Sequence, residues 1–202
     1  MRLLLVTLAL LTLSACGYVP HAPNIQPKFS GNQKIDITYS FNTYGGEYDD
    51  ARNAVANNNF WFYDDALKRI QEDFDSNPMI GKATYRENAK PDTFHLEIDY
   101  YFKSNDQGVG GMFLSVVTLG IIPFYVDVER QLTVKVRDPE GFPAGNVLQE
   151  VTGTQQGGWF TLFQGSSFAP SDTKGIIIEQ ISENLEVAIY KLQEKGIFSG
   201  NF

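Results

Sequence analysis

Residues 125–138 read Tyr-Val-Asp-Val-Glu-Arg-Gln-Leu-Thr-Val-Lys-Val-Arg-Asp, and this stretch decides the fold. Apolar and polar side chains alternate along it with the period of two that a half-buried β-strand shows. The apolar positions are Val126, Val128, Leu132, Val134 and Val136. Arg130 falls on the same side, where a charge needs a partner or a place at the edge of the sheet. The stretch therefore predicts a long strand with one face in the core.

A turn and a second strand follow this stretch. Asp138-Pro139-Glu140-Gly141 has proline at its second position and glycine at its fourth, which is the chemistry of a β-turn. The residues from Val147 to Thr154 then supply a partner strand. We expect the two strands to form a hairpin.

Three further strands are predicted upstream. Residues 34–41 alternate between apolar and polar side chains, residues 82–87 give a short strand signal, and residues 93–103 give a strong one. In residues 93–103 one face comprises Phe94, Leu96, Ile98, Tyr100 and Phe102, and the other comprises His95, Glu97, Asp99, Tyr101 and Lys103. We interpret His95 and Glu97 as neighbours on a solvated face rather than as an acid–base pair.

Two helices complete the predicted elements. Residues 60–76 carry apolar side chains at helical spacing, with Asp64 and Asp65 in the first turn, where the helix dipole favours acids. Residues 173–194 carry a longer apolar stripe. Together the elements predict an α+β fold. We expect a mainly antiparallel sheet of about five strands with two helices on one face, plus an apolar insertion at residues 107–126.

The insertion at residues 107–126 contains no charged residue. Its length suits a transmembrane helix, but it holds four glycines and Pro123, and Asp106 and Asp127 flank it. Small residues recur at helical spacing and would let another backbone approach closely. These are Gly108, Gly111, Ser115 and Thr118. Two interpretations stay open: the insertion is buried in the domain's own core, or it contacts a membrane or a protein partner.

A second apolar cluster begins at Gly157-Gly158-Trp159-Phe160, where the two glycines disfavour a regular helix. We expect this cluster and the insertion to be the contact surfaces of the protein. The candidate residues for partner or membrane contact are therefore Gly111, Met112, Phe113, Ser115, Thr118, Trp159 and Phe160.

The N-terminus carries an export signal. Arg2 precedes a mainly apolar run over residues 3–11, and Leu13-Ser14-Ala15-Cys16 ends the signal at the only cysteine of the chain. This motif resembles the lipobox of bacterial lipoproteins. The resemblance implies a diacylglyceryl thioether on Cys16, cleavage between Ala15 and Cys16, and acylation of the new amino group. By the same resemblance, Gly17 favours the outer membrane, with the domain facing the periplasm.

The predicted organisation has three parts. Residues 1–15 are the cleaved signal peptide, residues 16–33 are a lipidated, proline-rich tether that resists helix or sheet formation, and residues 34–202 are a single α+β domain. Removing residues 1–15 removes one base, Arg2, and no acid, so the formal net charge falls from −8 to −9. Such an acidic surface argues against nucleic acid and against electrostatic docking on anionic lipid.

The sequence offers little material for a catalytic site. It has two histidines, no cysteine besides Cys16, and neither a nucleophile elbow nor a metal-ligand cluster. We therefore expect no catalytic residue, no metal and no cofactor, and we expect that the protein is not an enzyme.

Two functions remain. The first is a lipid-anchored, non-catalytic protein that binds an envelope partner, or further copies of itself, in an outer-membrane assembly or secretion complex. The alternative is a carrier or chaperone of a lipid-like or polysaccharide ligand. The order of elements over residues 34–195 resembles the amino-terminal domain of TolB and the envelope lipoproteins PelC and CsgG. The resemblance transfers no functional residue except Cys16.

Overall fold

The computed structural model describes residues 16–21, 23, 25, 27–29, 34–45, 60–88, 92–102, 117–118, 124–157 and 173–198. The strands are β1 (Cys16–Pro20), β2 (Ile35–Gly45), β3 (Ile80–Tyr85), β4 (Phe94–Phe102), β5 (Phe124–Arg137) and β6 (Pro143–Gly157). The helices are α1 (Tyr63–Ser76) and α2 (Thr173–Glu194). The predicted signal peptide and most of the insertion lie outside the described residues.

The chain divides into two compact units. The first unit comprises Met1–His21, Ser104–Glu129 and Thr152–Ile177. The second unit comprises Ala22–Lys103, Arg130–Val151 and Ile178–Phe202. Strand β1 therefore belongs to the first unit, whereas β2, β3, β4 and α1 belong to the second.

The sheet of the second unit is mixed and has the strand order β6-β5-β4-β2-β3. Strand β4 pairs antiparallel with β5, but β2 pairs parallel with both β3 and β4. The predicted α+β class is confirmed, although the sheet is less antiparallel than expected. The reason is that α1 lies between β2 and β3 and carries the chain back, so that both strands start at the same end of the sheet.

Helix α1 packs on this sheet through a narrow apolar stripe. Ala66, Ile70 and Phe74 recur every four residues, and all three are fully buried. The Phe74 ring meets the ring of Tyr39 in β2 edge-to-face, with centroids 4.9 Å apart. The helix ends at Ser76, where the sequence predicts its end.

Helix α2 packs on the same face of the sheet. Its buried stripe includes Ile181, Leu185 and Leu192, and its Gln180 accepts a hydrogen bond from Arg130 of β5. Arg130, which contacts α2, lies opposite Phe102 of β4, and Tyr39, which contacts α1, lies opposite Leu96 of β4. Phe102 and Leu96 are separated by an even number of positions, so both lie on the same side of β4. The prediction that both helices cover one face is therefore confirmed. Neither α1 nor α2, the helices within the described residues, is long and apolar enough to cross a membrane.

The hairpin between β5 and β6 turns where the sequence predicts a turn. The N–H of Gly141 donates to the carbonyl of Asp138, and the N–H of Asp138 donates to the carbonyl of Phe142, each at 2.9 Å. Gly141 has a φ of 87°, in the left-handed region that favours glycine. Because this turn is tight, β6 already begins at Pro143, before the predicted start at Val147.

Strand β1 corrects one expectation, namely that residues 16–33 resist sheet formation throughout. Cys16–Pro20 pairs antiparallel with β6 in the first unit, from Cys16 opposite Gly157 to Pro20 opposite Gly153. Pro20 closes the strand, a position where its missing N–H disturbs the ladder least. The long strand β6 supplies the edge on which this short, proline-containing segment forms a sheet.

Candidate functional site

The side of the sheet that points away from the helices carries polar side chains, and we call it the polar face. Strand register places on it Thr38, Ser40, Asn42, Tyr44, His95, Glu97, Asp99, Tyr101, Gln131, Thr133, Lys135 and Arg137. The expectation that this face is solvated is wrong at its centre, because His95 is 3% exposed and Asp99 is 1% exposed. Asp99 has a short side chain, and the longer side chains of Lys135 and Tyr101 contact it and shield it from solvent.

Asp99 is the hub of a hydrogen-bond network that joins three strands. Its Oδ2 accepts from Lys135 Nζ of β5 at 2.7 Å and from the Tyr101 hydroxyl at 3.5 Å. Its Oδ1 accepts from Asn42 Nδ2 of β2 at 3.1 Å. Lys135 Nζ also lies 3.5 Å from Oε1 of Glu97. The carboxylate of Asp99 is thus held by donors on both oxygens, which suits a structural anchor better than a proton-transfer group.

Two tyrosines extend the polar face beside this network. The Tyr44 and Tyr101 rings stack with centroids 4.8 Å apart and an interplanar angle of 13°. Burial raises the pKa of Tyr44, and the charges of Asp99 and Glu97 raise it further. The Tyr44 phenol is therefore protonated at neutral pH and presents an aromatic surface with a hydroxyl group.

His95 is a buried residue of the same face. Its Nδ1 lies 2.9 Å from the hydroxyl oxygen of Thr38. Burial lowers the pKa of His95, and the nearby charge of Arg137 lowers it further. The imidazole is therefore neutral at pH 7. The partner of Nδ1 is thus a threonine hydroxyl, whereas the Glu97 carboxylate faces Lys135.

Two grooves open on the polar face. The larger has a volume of about 340 Å³ and is lined by Glu97, Lys135, Arg137, Asn146 and residues 136 and 143–145. We call it the charged groove. The smaller has a volume of about 220 Å³ and is lined by Asp36, Ile37, Thr38, Lys82, Thr84, Arg86 and Thr93. The charged groove combines cations, a carboxylate and an amide, so it can bind a ligand through several different hydrogen bonds.

The first unit contains a smaller polar network at the end of β1. His21 Nδ1 lies 3.2 Å from the hydroxyl oxygen of Thr152, and its Nε2 lies 3.3 Å from that of Thr154. Thr154 in turn donates to Oδ1 of Asp127 at 3.0 Å. Thr154 uses its one hydroxyl proton on Asp127, so its oxygen accepts from Nε2–H of His21. This network fastens β1 to β6; within the described residues, no three histidine, cysteine or acidic side chains are grouped to hold a metal ion.

The structure describes only part of the contact surface that the sequence predicts. Cys16 is the first residue of β1 and lies opposite Gly157. Thr118 is half-buried in a turn, next to Val117, which is 61% exposed. The other candidates lie outside the described residues: Ala15, Gly111, Met112, Phe113, Ser115, Trp159 and Phe160. Their roles in cleavage or contact stay predictions.

Sequence reasoning missed the Asp99 network and the charged groove. The alternation identifies the polar residues of β4 and β5, but it predicts that they face solvent. A usable signal was present, because Glu97 and Asp99 on one predicted strand match Lys135 and Arg137 on another in spacing and opposite charge. The antiparallel register indeed places Glu97 opposite Lys135.

Comparison with solved structures gives likenesses at low TM-scores. No family model matches the chain, and no curated protein matches it. A solved PelC dodecamer from Paraburkholderia phytofirmans is similar at 12% identity and a TM-score of 0.30, over 81% of this chain and 96% of that one. A solved uncharacterized protein is similar at 8% identity and a TM-score of 0.31, over 79% and 92%. PelC is thus a structural neighbour at a low TM-score, and likeness at this level carries no argument about function.

Proposed function

We propose that this chain is a lipid-anchored, non-catalytic protein of the outer membrane that faces the periplasm and binds an envelope partner. The observation that carries the proposal is Leu13-Ser14-Ala15-Cys16 behind Arg2 and a mainly apolar run. One acyl chain holds a protein to a bilayer only marginally, and stable attachment takes at least two. A triacylated Cys16 would therefore hold the protein at a membrane without a spanning helix.

Strand β1 supports a short link between that lipid and the first unit. Its pairing with β6 starts at Cys16 itself and continues to Pro20. His21 directly after the strand adds contacts to Thr152 and Thr154. A lipid on Cys16 would thus begin where strand pairing begins, with no free segment between them. The first unit would then lie close to the membrane surface.

The proposed partner surface is the apolar insertion together with the cluster that starts at Trp159. The insertion is long, uncharged and rich in small residues, which suits close packing against another chain. Val117, in the middle of the insertion, is 61% exposed and available for such a contact. The partner is another envelope protein or a further copy of this chain.

The described titratable groups support a non-catalytic role. Asp99 accepts hydrogen bonds on both oxygens, and His95 is buried against Thr38. Asp99 is engaged with β2 and β5, and Nδ1 of His95 is engaged with Thr38 of β2. Both hold neighbouring strands together, which is the work of structural residues.

The alternative function is carriage of a lipid-like or polysaccharide ligand, and its lipid-like form needs an apolar cavity. One apolar cavity in the core of the second unit is lined by Ile35, Ile37, Met79, Ile80, Leu96, Ile189 and Phe198. Its volume is about 10 Å³. This is room for about one water molecule and far too little for an acyl chain. Within the part of the chain that the structure describes, this cavity gives carriage of an acyl chain less support than partner binding.

The anchor is tested by expressing the full chain in a bacterial host and measuring the mass of its mature N-terminal peptide. We expect cleavage before Cys16, with a diacylglyceryl group and an acyl group added to it. Cys16→Ser should abolish the modification and release the protein from the membrane fraction. Ser14→Ala keeps a small residue in the motif and should leave the modification and the attachment to the membrane fraction unchanged. A mature protein whose Cys16 carries a free thiol would overturn the anchor.

Partner binding is tested separately by crosslinking and pull-down of the detergent-solubilised protein. Gly111→Leu and Ser115→Leu should abolish the crosslinked species while the thermal unfolding midpoint stays the same. Phe142→Ser is the control, because Phe142 is 67% exposed at the hairpin turn and lies outside the proposed surface. A wild-type protein that runs as a lone monomer and captures nothing would contradict the proposal. Stoichiometric co-purified lipid would favour the carrier instead.

A further inference from the structure

We propose that the charged groove binds a small carboxylate that also carries hydroxyl groups, of the chemical class of the sugar acids. The groove lies in the second unit and is lined by side chains of β4, β5 and β6. Its volume of about 340 Å³ is at the lower end of the range for small-molecule sites. The inference does not depend on the lipid anchor or on the partner surface.

Arg137 is the group that would bind the carboxylate. It is exposed at the end of β5, and its guanidinium group makes no hydrogen bond or ion pair with another described side chain. Its Cα lies opposite that of His95, so it stands beside a buried and neutral side chain. A guanidinium group presents a planar fork of donors that matches a carboxylate with two parallel hydrogen bonds. Arg137 therefore supplies the charge and the geometry for one carboxylate.

Lys135 plays a different part, because its ammonium group is already engaged. It lies 2.7 Å from Oδ2 of Asp99 and 3.5 Å from Oε1 of Glu97. These two carboxylates balance the charges of Lys135 and Arg137, so that the groove as a whole is close to neutral. A multiply charged anion gains little in such a groove, since Glu97 would repel its second charge. A ligand with a single negative charge at Arg137 fits better.

Glu97 and Asn146 select the rest of the ligand. The Glu97 side chain is 30% exposed and can accept hydrogen bonds from ligand donors. An ammonium donor would lie next to the Lys135 ammonium, a like charge, and would be disfavoured. A hydroxyl donor is neutral and suffers no such repulsion. Asn146 adds an exposed amide that both donates and accepts. A carboxylate with neighbouring hydroxyls therefore satisfies the groove best.

The test is an NMR titration of the full chain in detergent micelles with glucuronate. We expect saturable shifts of the Arg137 Nε–Hε signal and the Asn146 side-chain amide at roughly millimolar ligand, an affinity suited to an open groove with few contacts. Arg137→Gln should weaken binding about tenfold or more, since it removes a charge-assisted pair of hydrogen bonds. Lys82→Gln removes one charge from the smaller groove and should leave the affinity within about twofold of the wild type.

Three probes at the same concentration distinguish the possible causes of a shift. Glucose lacks the carboxylate and should give no saturable shift. Inorganic phosphate tests general attraction of anions, and glycine tests a carboxylate with an ammonium group. Binding of glucuronate to wild type and Arg137→Gln with equal affinity would overturn the proposal. So would equal shifts with phosphate or glycine, or no saturable shift with glucuronate. The thermal unfolding midpoints of both variants show whether they are folded.

Discussion

Lys135 Nζ lies 2.7 Å from Oδ2 of Asp99, a carboxylate that is 1% exposed and sits at the centre of the polar face. The desolvation of a buried carboxylate costs several kcal/mol unless a cation and further donors compensate for it. Here the cation comes from β5, and further donors come from Asn42 of β2 and Tyr101 of β4. The three strands are therefore joined by side chains as well as by backbone hydrogen bonds.

Lys135→Met should destabilise the protein by about 1–3 kcal/mol, because it leaves the buried Asp99 carboxylate without its cation. Combining Lys135→Met with Asp99→Asn also removes the carboxylate charge that Lys135→Met leaves without a cation. The double variant should therefore be more stable than Lys135→Met. The measurement is the free energy of unfolding from urea titrations at pH 7.

Lys68→Met is the matched control for this prediction. Lys68 pairs with Glu72 at 3.8 Å, and the two side chains are 77% and 57% exposed. An exposed pair of this kind contributes about 0–1 kcal/mol. If Lys68→Met and Lys135→Met lower the free energy of unfolding by the same amount, the Asp99 network does not stabilise the sheet.

The sequence predicts β2, β4 and β5 well because each strand has one apolar face that must be buried. The alternation of side chains follows from the geometry of a single strand, so it can be read without knowledge of the partner strand. The parallel pairing of β2 with β4 cannot be read in this way. It depends on how the chain passes from β3 to β4, which lie on opposite sides of β2, and no local pattern encodes that choice. The same holds for β1, whose five residues form a strand only because β6 extends to Gly157.

Asp73 of α1 should make stability depend on pH. Burial raises the pKa of Asp73, and Ser182 and Arg69, whose Nε lies 3.1 Å from Oδ1, offset this only in part. Asp73 therefore binds its proton more readily in the folded than in the unfolded protein. As the pH falls through the folded pKa toward the ordinary value of 3.8, this residue should increasingly favour folding.

Asp73→Asn tests this dependence, because asparagine is neutral at every pH. The variant should be more stable than the wild type at pH 7 and should lose the part of the pH dependence that comes from Asp73. The comparison is urea unfolding at pH 7 and at pH 5. Asp75→Asn, at an exposed position on the same helix, controls for the change in net charge. The same pH dependence in Asp73→Asn as in the wild type would contradict the raised pKa.

His95 should make stability depend on pH in the opposite direction. Burial and then the charge of Arg137 lower the pKa of His95 below its ordinary value of 6.5. The unfolded chain therefore binds a proton at a pH where the folded protein does not. Stability from this residue is complete above pH 6.5 and is lost as the pH falls toward the folded pKa. His95→Gln should remove this contribution to the slope of unfolding free energy between pH 7.5 and pH 5.5.

Arg137→Gln gives an intermediate result in the same measurement. It removes the second cause of the lowered pKa and leaves the burial of His95 in place. The slope should become shallower than in the wild type but should remain steeper than in His95→Gln. Equal slopes in the wild type and His95→Gln would show that this histidine does not control the pH dependence.

The candidate site was less predictable than the fold, and Asp99 shows why. Its position on a polar face follows from the sequence, and so do the charges of Lys135 and Arg137. Its burial depends on which residues lie opposite and beside it, and this register is fixed by pairing between distant segments.

The apolar side of β5 allowed a firmer prediction. A cation among apolar residues has few stable environments, so the sequence already required a partner for Arg130.

Gln180 of α2 supplies that partner, with Oε1 lying 3.3 Å from Nη1 of Arg130. The guanidinium carbon also lies 5.5 Å from the centroid of the Phe102 ring, within range of a cation–π contact. Arg130 is 6% exposed and Gln180 is 1% exposed, so water cannot readily replace either partner. Gln180→Leu should therefore destabilise the protein by about 1–3 kcal/mol, because it removes an acceptor from a buried cation.

Adding Arg130→Met to Gln180→Leu should recover most of that loss, because a buried polar contact replaced on both sides by apolar groups of similar size is close to neutral. The free energies of unfolding of the four proteins form a double-mutant cycle, whose coupling energy measures the contact. Additive effects would mean that Arg130 is stabilised mainly by Phe102 and its other neighbours. A large coupling energy would establish that Gln180 compensates the charge that interrupts the apolar face of β5.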